Sequence, residues 1–263
     1  MKTMDTTRKL ALAAGLLYLL TFVASIPTLA LKAPVVDHAN FILGHGSTTG
    51  VIWGGFLDFV CAVAGIGTAV ALYPITRRYS RTSAIGFLAS RTLEAAILVV
   101  GAISLLSIVT LRNDFTGGDR SSLLTTGRSL LAMHDWSFLF GPGFMPAINA
   151  LFLATVMYRF RLVPRIIPLL GLIGAPLLFA STFATMFGGH GQVSTSSFLL
   201  AFPIAAWEFS LGVYLTVKGV KRPVIDDDAP VATPALAAYP PGVTSAGAPC
   251  SPSAECGARS RGG

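Results

Sequence analysis

Charge is in short supply in this 263-residue chain: Asp, Glu, Lys and Arg make up 12% of it, about half of the ~25% usual in a soluble domain. A fold wetted on all sides is therefore excluded, and a mean hydropathy of +0.69 with 53% hydrophobic residues points to an integral membrane protein. Cysteine is scarcer still, at 3 residues. Cys61 lies in an apolar run and reads as a small packing residue, while Cys250 and Cys256 lie in a polar tail; no spacing resembles a zinc knuckle or a disulfide framework. Acidic residues, at 12 against 19 basic, leave a formal net charge of +7. The bases fall mostly at the ends of apolar runs, where membrane topology needs them, so nucleic acid is rejected as a partner and the lipid bilayer is the partner expected.

What is abundant is apolar sequence in long runs. Helices are expected over about 10–31, 51–73, 84–111, 136–158, 164–187 and 198–217, each long enough to cross ~30 Å of hydrocarbon at ~1.5 Å per residue. The first, preceded by Lys2, Arg8 and Lys9, exceeds the ~7–15 apolar residues of a signal peptide and is read as a span. Basic clusters precede helix one, join two to three (Arg77, Arg78, Arg81) and four to five (Arg159, Arg161, Arg165), and follow helix six (Lys218, Lys221, Arg222). All four fall on one side of an even-numbered bundle. The fold expected is therefore all-α, a polytopic membrane helix bundle with six transmembrane helices and both termini cytoplasmic, in a bacterial plasma membrane. On the other side Lys32 is placed in the first loop. The third loop, from Arg112 to Asp135, reads either as an interfacial helix or as an ordinary structured loop. Residues 1–222 form the membrane domain, and residues 223–263, rich in Pro, Ala, Gly and Ser, are expected to be a disordered cytoplasmic tail.

Against this background the polar residues inside the runs stand out. Arg91 and Glu94 share a face of helix three at i,i+3 spacing, roughly 10 and 15 Å deep. Glu208 reaches a similar depth in helix six, Asp58 sits in the outer half of helix two, and Asn149 lies in helix four. Three acids against one base in hydrocarbon require a retained proton, a bound cation or admitted water, which favours proton or cation handling. The alternative is a lock, in which Arg91 clamps Glu94 and Glu208 while Asp58 is hydrated near the interface.

Helix four carries Gly141, Pro142, Gly143 and Pro146 in its outer half, where missing backbone bonds demand a kink or an unwound segment facing protein or a wet cavity. All four histidines fall on the predicted outer side. His45, His134 and His190, with Asp135 or Asp37, would hold zinc if the outer helix ends converge; otherwise they are loop histidines among glycines. No other cofactor is expected.

The run from Arg8 to Tyr18, Arg91 with Glu94, Gly141 to Gly143, Leu162 to Arg165, and Ala206 to Glu208 together resemble bacterial, chiefly actinobacterial, six-helix membrane proteins grouped as domain of unknown function 4386. The resemblance spans most of Arg8 to Arg222 and implies a fold without an activity. Three readings follow: a transporter-like or proton-coupled protein using the buried centre, a structural or regulatory membrane subunit, and a metal-dependent hydrolase at the outer face. The sequence points away from an enzyme more than towards one. It leaves room for a homo-oligomer or an unidentified membrane partner.

Overall fold

A computed structural model describes residues 5–221 except 39, 45 and 190. The expected tail therefore lies outside the described residues. The chain runs through α1 (Thr6–Val36), α2 (Thr48–Thr76), α3 (Arg81–Asn113), α4 (Arg120–Phe138), a π-helical turn (Leu139–Phe144), α5 (Met145–Arg159), α6 (Ile166–Met186) and α7 (Thr195–Val217). A single 3-10 turn, Phe41–Leu43, precedes α2, and no strand occurs among the described residues. Six helical runs are long and apolar enough to cross a membrane, with α4, the π turn and α5 forming one 40-residue run. The architecture is an all-α membrane bundle of six spans.

The helices are longer than the apolar runs because polar caps lie beyond the hydrophobic segments. Ser80 accepts from Ser83 N at 3.2 Å at the start of α3, and Ser194 accepts from Ser197 N at 3.2 Å at the start of α7. Each satisfies a donor that an uncapped helix leaves open. The third loop is corrected in the same way. Asp119 caps a helix that continues from Arg120 into the fourth span without a break, so it is neither an ordinary loop nor a separate interfacial helix. At ~1.5 Å per residue, 40 residues extend to about 60 Å, twice the hydrocarbon thickness.

Spans pack in a ring in chain order: α1 on α2, α2 on α3, α3 on α4 and α5, α5 on α6, α6 on α7, and α7 back on α1. At the end bearing the chain termini, Arg8 closes the ring by donating to the carbonyls of Leu215 (2.7 Å), Thr216 (2.7 Å) and Val217 (2.9 Å), three of the last acceptors of α7. Close approach of α1 and α7 there depends on missing side chains. A Cβ at Gly15 would lie 2.6 Å from Thr216 N and 2.8 Å from Gly212 O, whereas a Cβ at Gly65 in α2 would meet nothing within 4 Å.

Two apolar cores seal the ends of the ring. Tyr18, Leu72, Phe87, Leu153, Met157 and Leu211 belong to the larger one, and Val35, Phe41, Val51, Leu105, Ile108 and Leu123 to the one at the far end.

Two outcomes are expected. Gly15→Ala forces α1 off α7 and lowers stability by about 1–3 kcal/mol, while Gly65→Ala leaves the thermal midpoint in detergent unchanged or higher. The Ser121 hydroxyl, followed by the Ser121 and Ser122 amides, holds the Asp119 carboxyl below its ordinary range. A depressed folded value means that this cap is complete above the ordinary Asp range and is lost as pH falls through the lower one. Protection of the Ser121 and Ser122 amides, measured as exchange relative to the unstructured-peptide rate at the same pH, should therefore fall in acid, and Asp119→Asn should remove that dependence.

Candidate functional site

Arg91 is the hub of the bundle. It sits on the inner face of α3, 5% exposed, with its guanidinium 5.3 Å from the Tyr18 ring and 5.9 Å from the Phe87 ring. One terminal nitrogen donates to Glu94 Oε2 at 3.0 Å along the same helix, and the other donates to Glu208 Oε1 across the ring in α7. Glu208 is aimed there because its neighbour Trp207 is buried against Gly171 of α6, where a Cβ would lie 2.9 Å from the indole.

Asn149 completes the network. Its amide donates to Glu94 Oε2 at 2.6 Å and its oxygen accepts from the Ser90 hydroxyl at 2.6 Å. Four of the five polar residues singled out in the sequence thus meet at one point. Arg91 Nε is the one buried side-chain nitrogen or oxygen without a hydrogen-bond partner among the described residues. An unmet buried donor of this kind costs about 1–3 kcal/mol, so the clamp is tight but incomplete.

Asp58 corrects the sequence reading. It is not hydrated near an interface but 4% exposed, bonded through Oδ2 to Lys32 Nζ at 2.8 Å. Lys32 in turn is no loop residue: α1 continues past it to Val36, and its ammonium is buried, 5.9 Å from the Phe138 ring. The apolar stretch from Ala33 to Val36 after Lys32 was the available signal, masked by Pro34 and by a positive charge that looked like a loop marker. The balance is therefore three acids against two bases, and one surplus carboxylate remains.

Where the sequence led to the expectation of a kink or an unwound segment, the helix widens into the π turn and runs on. Gly141, Pro142 and Gly143 lie in the π turn and Pro146 lies at the start of α5. Proline removes an N–H and clashes with the carbonyl four residues back, and a wider turn accommodates both. Gly141 packs against Ile97 of α3, where a Cβ would meet its Cγ2 at 3.2 Å, and the Thr182 hydroxyl of α6, bonded to the Leu178 carbonyl at 2.9 Å, also reaches the Gly143 carbonyl at 3.2 Å. Thr182 carried no sequence signal. The turn also swings Asn149, one helical turn further on, towards Glu94.

These groups surround a cavity of about 340 Å³ at the ring axis, lined by all six spans and by Asp58, Arg91, Glu94, Glu208, Pro142 and Pro146. The Glu94 and Glu208 side chains are 14% and 15% exposed, against 6% for Arg91. Each acid spends one oxygen on its partners. Glu94 Oε1, Glu208 Oε2 and Asp58 Oδ1 make no hydrogen bond among the described residues, yet none is sealed, so all three retain accessible surface. A second cavity of about 500 Å³ shares Leu29, Phe138, Pro142, Leu178 and Ala201 with the first and continues past Gln192 and Ser194 at the far end.

Among the proposed metal ligands, His45 and His190 lie outside the described residues. His134 is buried in α4, beside Gly101 of α3, with Nδ1 3.2 Å from Asp135 Oδ1. No group of three or more metal-ligating side chains occurs among the described residues.

Compared with known proteins, residues 13–219 match the family described as domain of unknown function DUF4386. No curated protein and no solved structure matches the chain.

Removing one member of the buried pair should cost far more than removing both. Lys32→Met leaves Asp58 uncompensated and lowers stability by about 3–5 kcal/mol, whereas Lys32→Met with Asp58→Leu recovers most of the loss. Thermal unfolding of the two variants in detergent checks this, and equal losses would show that the pair is hydrated.

Proposed function

The chain belongs to the DUF4386 family, which carries a fold and no assigned activity, and we propose from that premise that it is a transporter-like, proton-coupled protein of the bacterial plasma membrane. Arg91, Glu94 and Glu208 form its working centre, and both termini are cytoplasmic. The observation that supports the reading is the cavity reaching three carboxylates that only two bases oppose. In a low dielectric the surplus charge is held neutral by one proton, and the cavity is the route by which that proton is exchanged. Topology is argued from the basic clusters at the terminal end, including Arg8, Arg77 and Arg165.

Proton and packing are linked through Arg91. Ionised Glu208 ties α7 to α3 by a charge-assisted bond, and a protonated Glu208 does so only weakly. Loading and losing the proton therefore alters the α3–α7 contact that forms one wall of the cavity. A second reading has support of its own: Arg91 bonds both acids and Asn149 supports Glu94, as a purely structural lock would require. The zinc-hydrolase reading rests on His45, His134 and His190 and demands stoichiometric zinc in purified protein; metal-free protein removes it.

A hydrophobic carbodiimide separates the first two readings, because it adds the O–H of a protonated carboxyl across a C=N bond and leaves a mass tag. Folded protein at neutral pH should acquire one tag per chain, on Glu94, Glu208 or Asp58, and tagging should fall at alkaline pH. Glu208→Gln leaves two acids for two bases and should reduce tagging at least about tenfold, the effect of one pH unit on proton occupancy. A folded protein that resists the reagent, with all three acids tagged only after unfolding, is the lock. So is a Glu208→Gln variant that loses thermal stability while its tagging is unchanged.

A further inference from the structure

The cavity has an entrance as well as a floor. Phe22, Ser25, Ile26 and Leu29 follow one another at i, i+3, i+4 and i+7 on α1 and all line it, yet Ser25, Ile26 and Leu29 are also exposed on the outside of the bundle. Opposite them on α7 are Ala201 and Ala205, half-buried and too small to close the gap. Towards the terminal end the same seam is shut by the edge-to-face contact of Phe22 with Phe209, 5.5 Å between centroids, and below it by Gly15 against Gly212. The opening is thus a cleft between α1 and α7, facing sideways where lipid tails lie.

What the cleft offers a visitor is specific. Its walls are apolar, with Ile26, Leu29, Leu98 and Leu178 beside the rings of Phe22 and Phe138. Its floor presents carboxylate oxygens with free acceptor capacity, while the Arg91 guanidinium stands buried behind them, its two terminal nitrogens bonded to the acids and its Nε out of reach of the cleft. The charged and titratable groups facing this floor are Tyr18 and Lys32 from α1, Asp58 and Cys61 from α2, Arg91 and Glu94 from α3, and Glu208 from α7, with His134 of α4 behind Asp58. α5 supplies only Asn149, and α6 supplies none.

We infer that the cleft binds a lipophilic ammonium ion, an amine with a compact apolar body, and that each amine bound displaces the resident proton. This rests on the proton-coupled reading and names its substrate class. The charges balance: the empty centre holds three carboxylates, two bases and one proton, and the filled centre exchanges that proton for one R–NH₃⁺. An N–H⁺ donor satisfies the free oxygens, the rings of Phe22 and Phe138 favour the cation, and the body stays in an apolar wall reached directly from the membrane. An anion of the same shape would meet surplus negative charge and would have to pull an acid from Arg91.

The test uses the full chain in detergent with 1-adamantylamine as probe and adamantane-1-carboxylate and 1-adamantanol as shape-matched controls. The amine should bind saturably by titration calorimetry, release about one proton when buffers of different ionisation enthalpy are compared, and prevent carbodiimide tagging. The carboxylate and the alcohol should do none of these. Glu208→Gln should weaken the amine at least about tenfold, the smallest effect expected from losing one charge partner. Ala205→Phe, which keeps every acid, should also weaken it while leaving the tag intact.

Equal binding of the three probes, amine binding without proton release, or full affinity in Ala205→Phe would overturn the inference. A tag that forms normally but is not blocked by amine overturns it while leaving the proton centre standing. If no tag forms without ligand, the proton reading itself fails.

Discussion

A guanidinium held in hydrocarbon sets the terms for the rest of this bundle. Uncompensated, Arg91 would cost several kcal/mol, so partners must be brought to it from other helices, and the helix order that does so is a closed ring. Glu94 comes from its own helix and needs only the right spacing. Glu208 comes from the last span and needs α7 seated on α6, which the absent side chains at Gly171 and Gly174 permit; a Cβ at Gly174 would lie 2.8 Å from Ile204 N. Asn149 needs α5 to leave the π turn at the correct rotation. Packing, turn geometry and charge are thus solved together.

Much of this could be read in the sequence, for a physical reason. Burying charge in a membrane is so unfavourable that Arg91, Glu94, Glu208, Asp58 and Asn149 announced themselves as a set, and two prolines among glycines announced a break in helix four. Membership of the family was likewise legible. What stayed hidden was pairing. Lys32 lay at the edge of an apolar run, where bases ordinarily mark loops, and nothing local told that α1 continues for another turn to carry it inward against Asp58. Asp58 accordingly looked hydrated. The segment from Arg120 read either as an interfacial helix or as an ordinary loop, and its continuation into the next span was missed because that is decided by tertiary contacts with α3 and the 3-10 turn.

The π turn has a double use. It absorbs Pro142 without breaking the helix, and it places Pro142 and Pro146 in the wall of the cavity rather than against lipid. The Thr182 hydroxyl of α6 reaches the Gly143 carbonyl there and ties the turn to the neighbouring span.

The ring closure by Arg8 on the last carbonyls of α7 has a bearing on biogenesis. Spans enter the bilayer from the N-terminus onwards, and through α6 the emerging chain holds Lys32 with Asp58 and Arg91 with Glu94, two neutral couples that can rest in lipid without further help. Only the final span delivers the third acid, and only then does α1 meet the helix that completes the cleft. Glu208 is therefore the last charge to arrive, and the three-to-two excess of acids over bases in the bundle exists only once the whole membrane domain has been made.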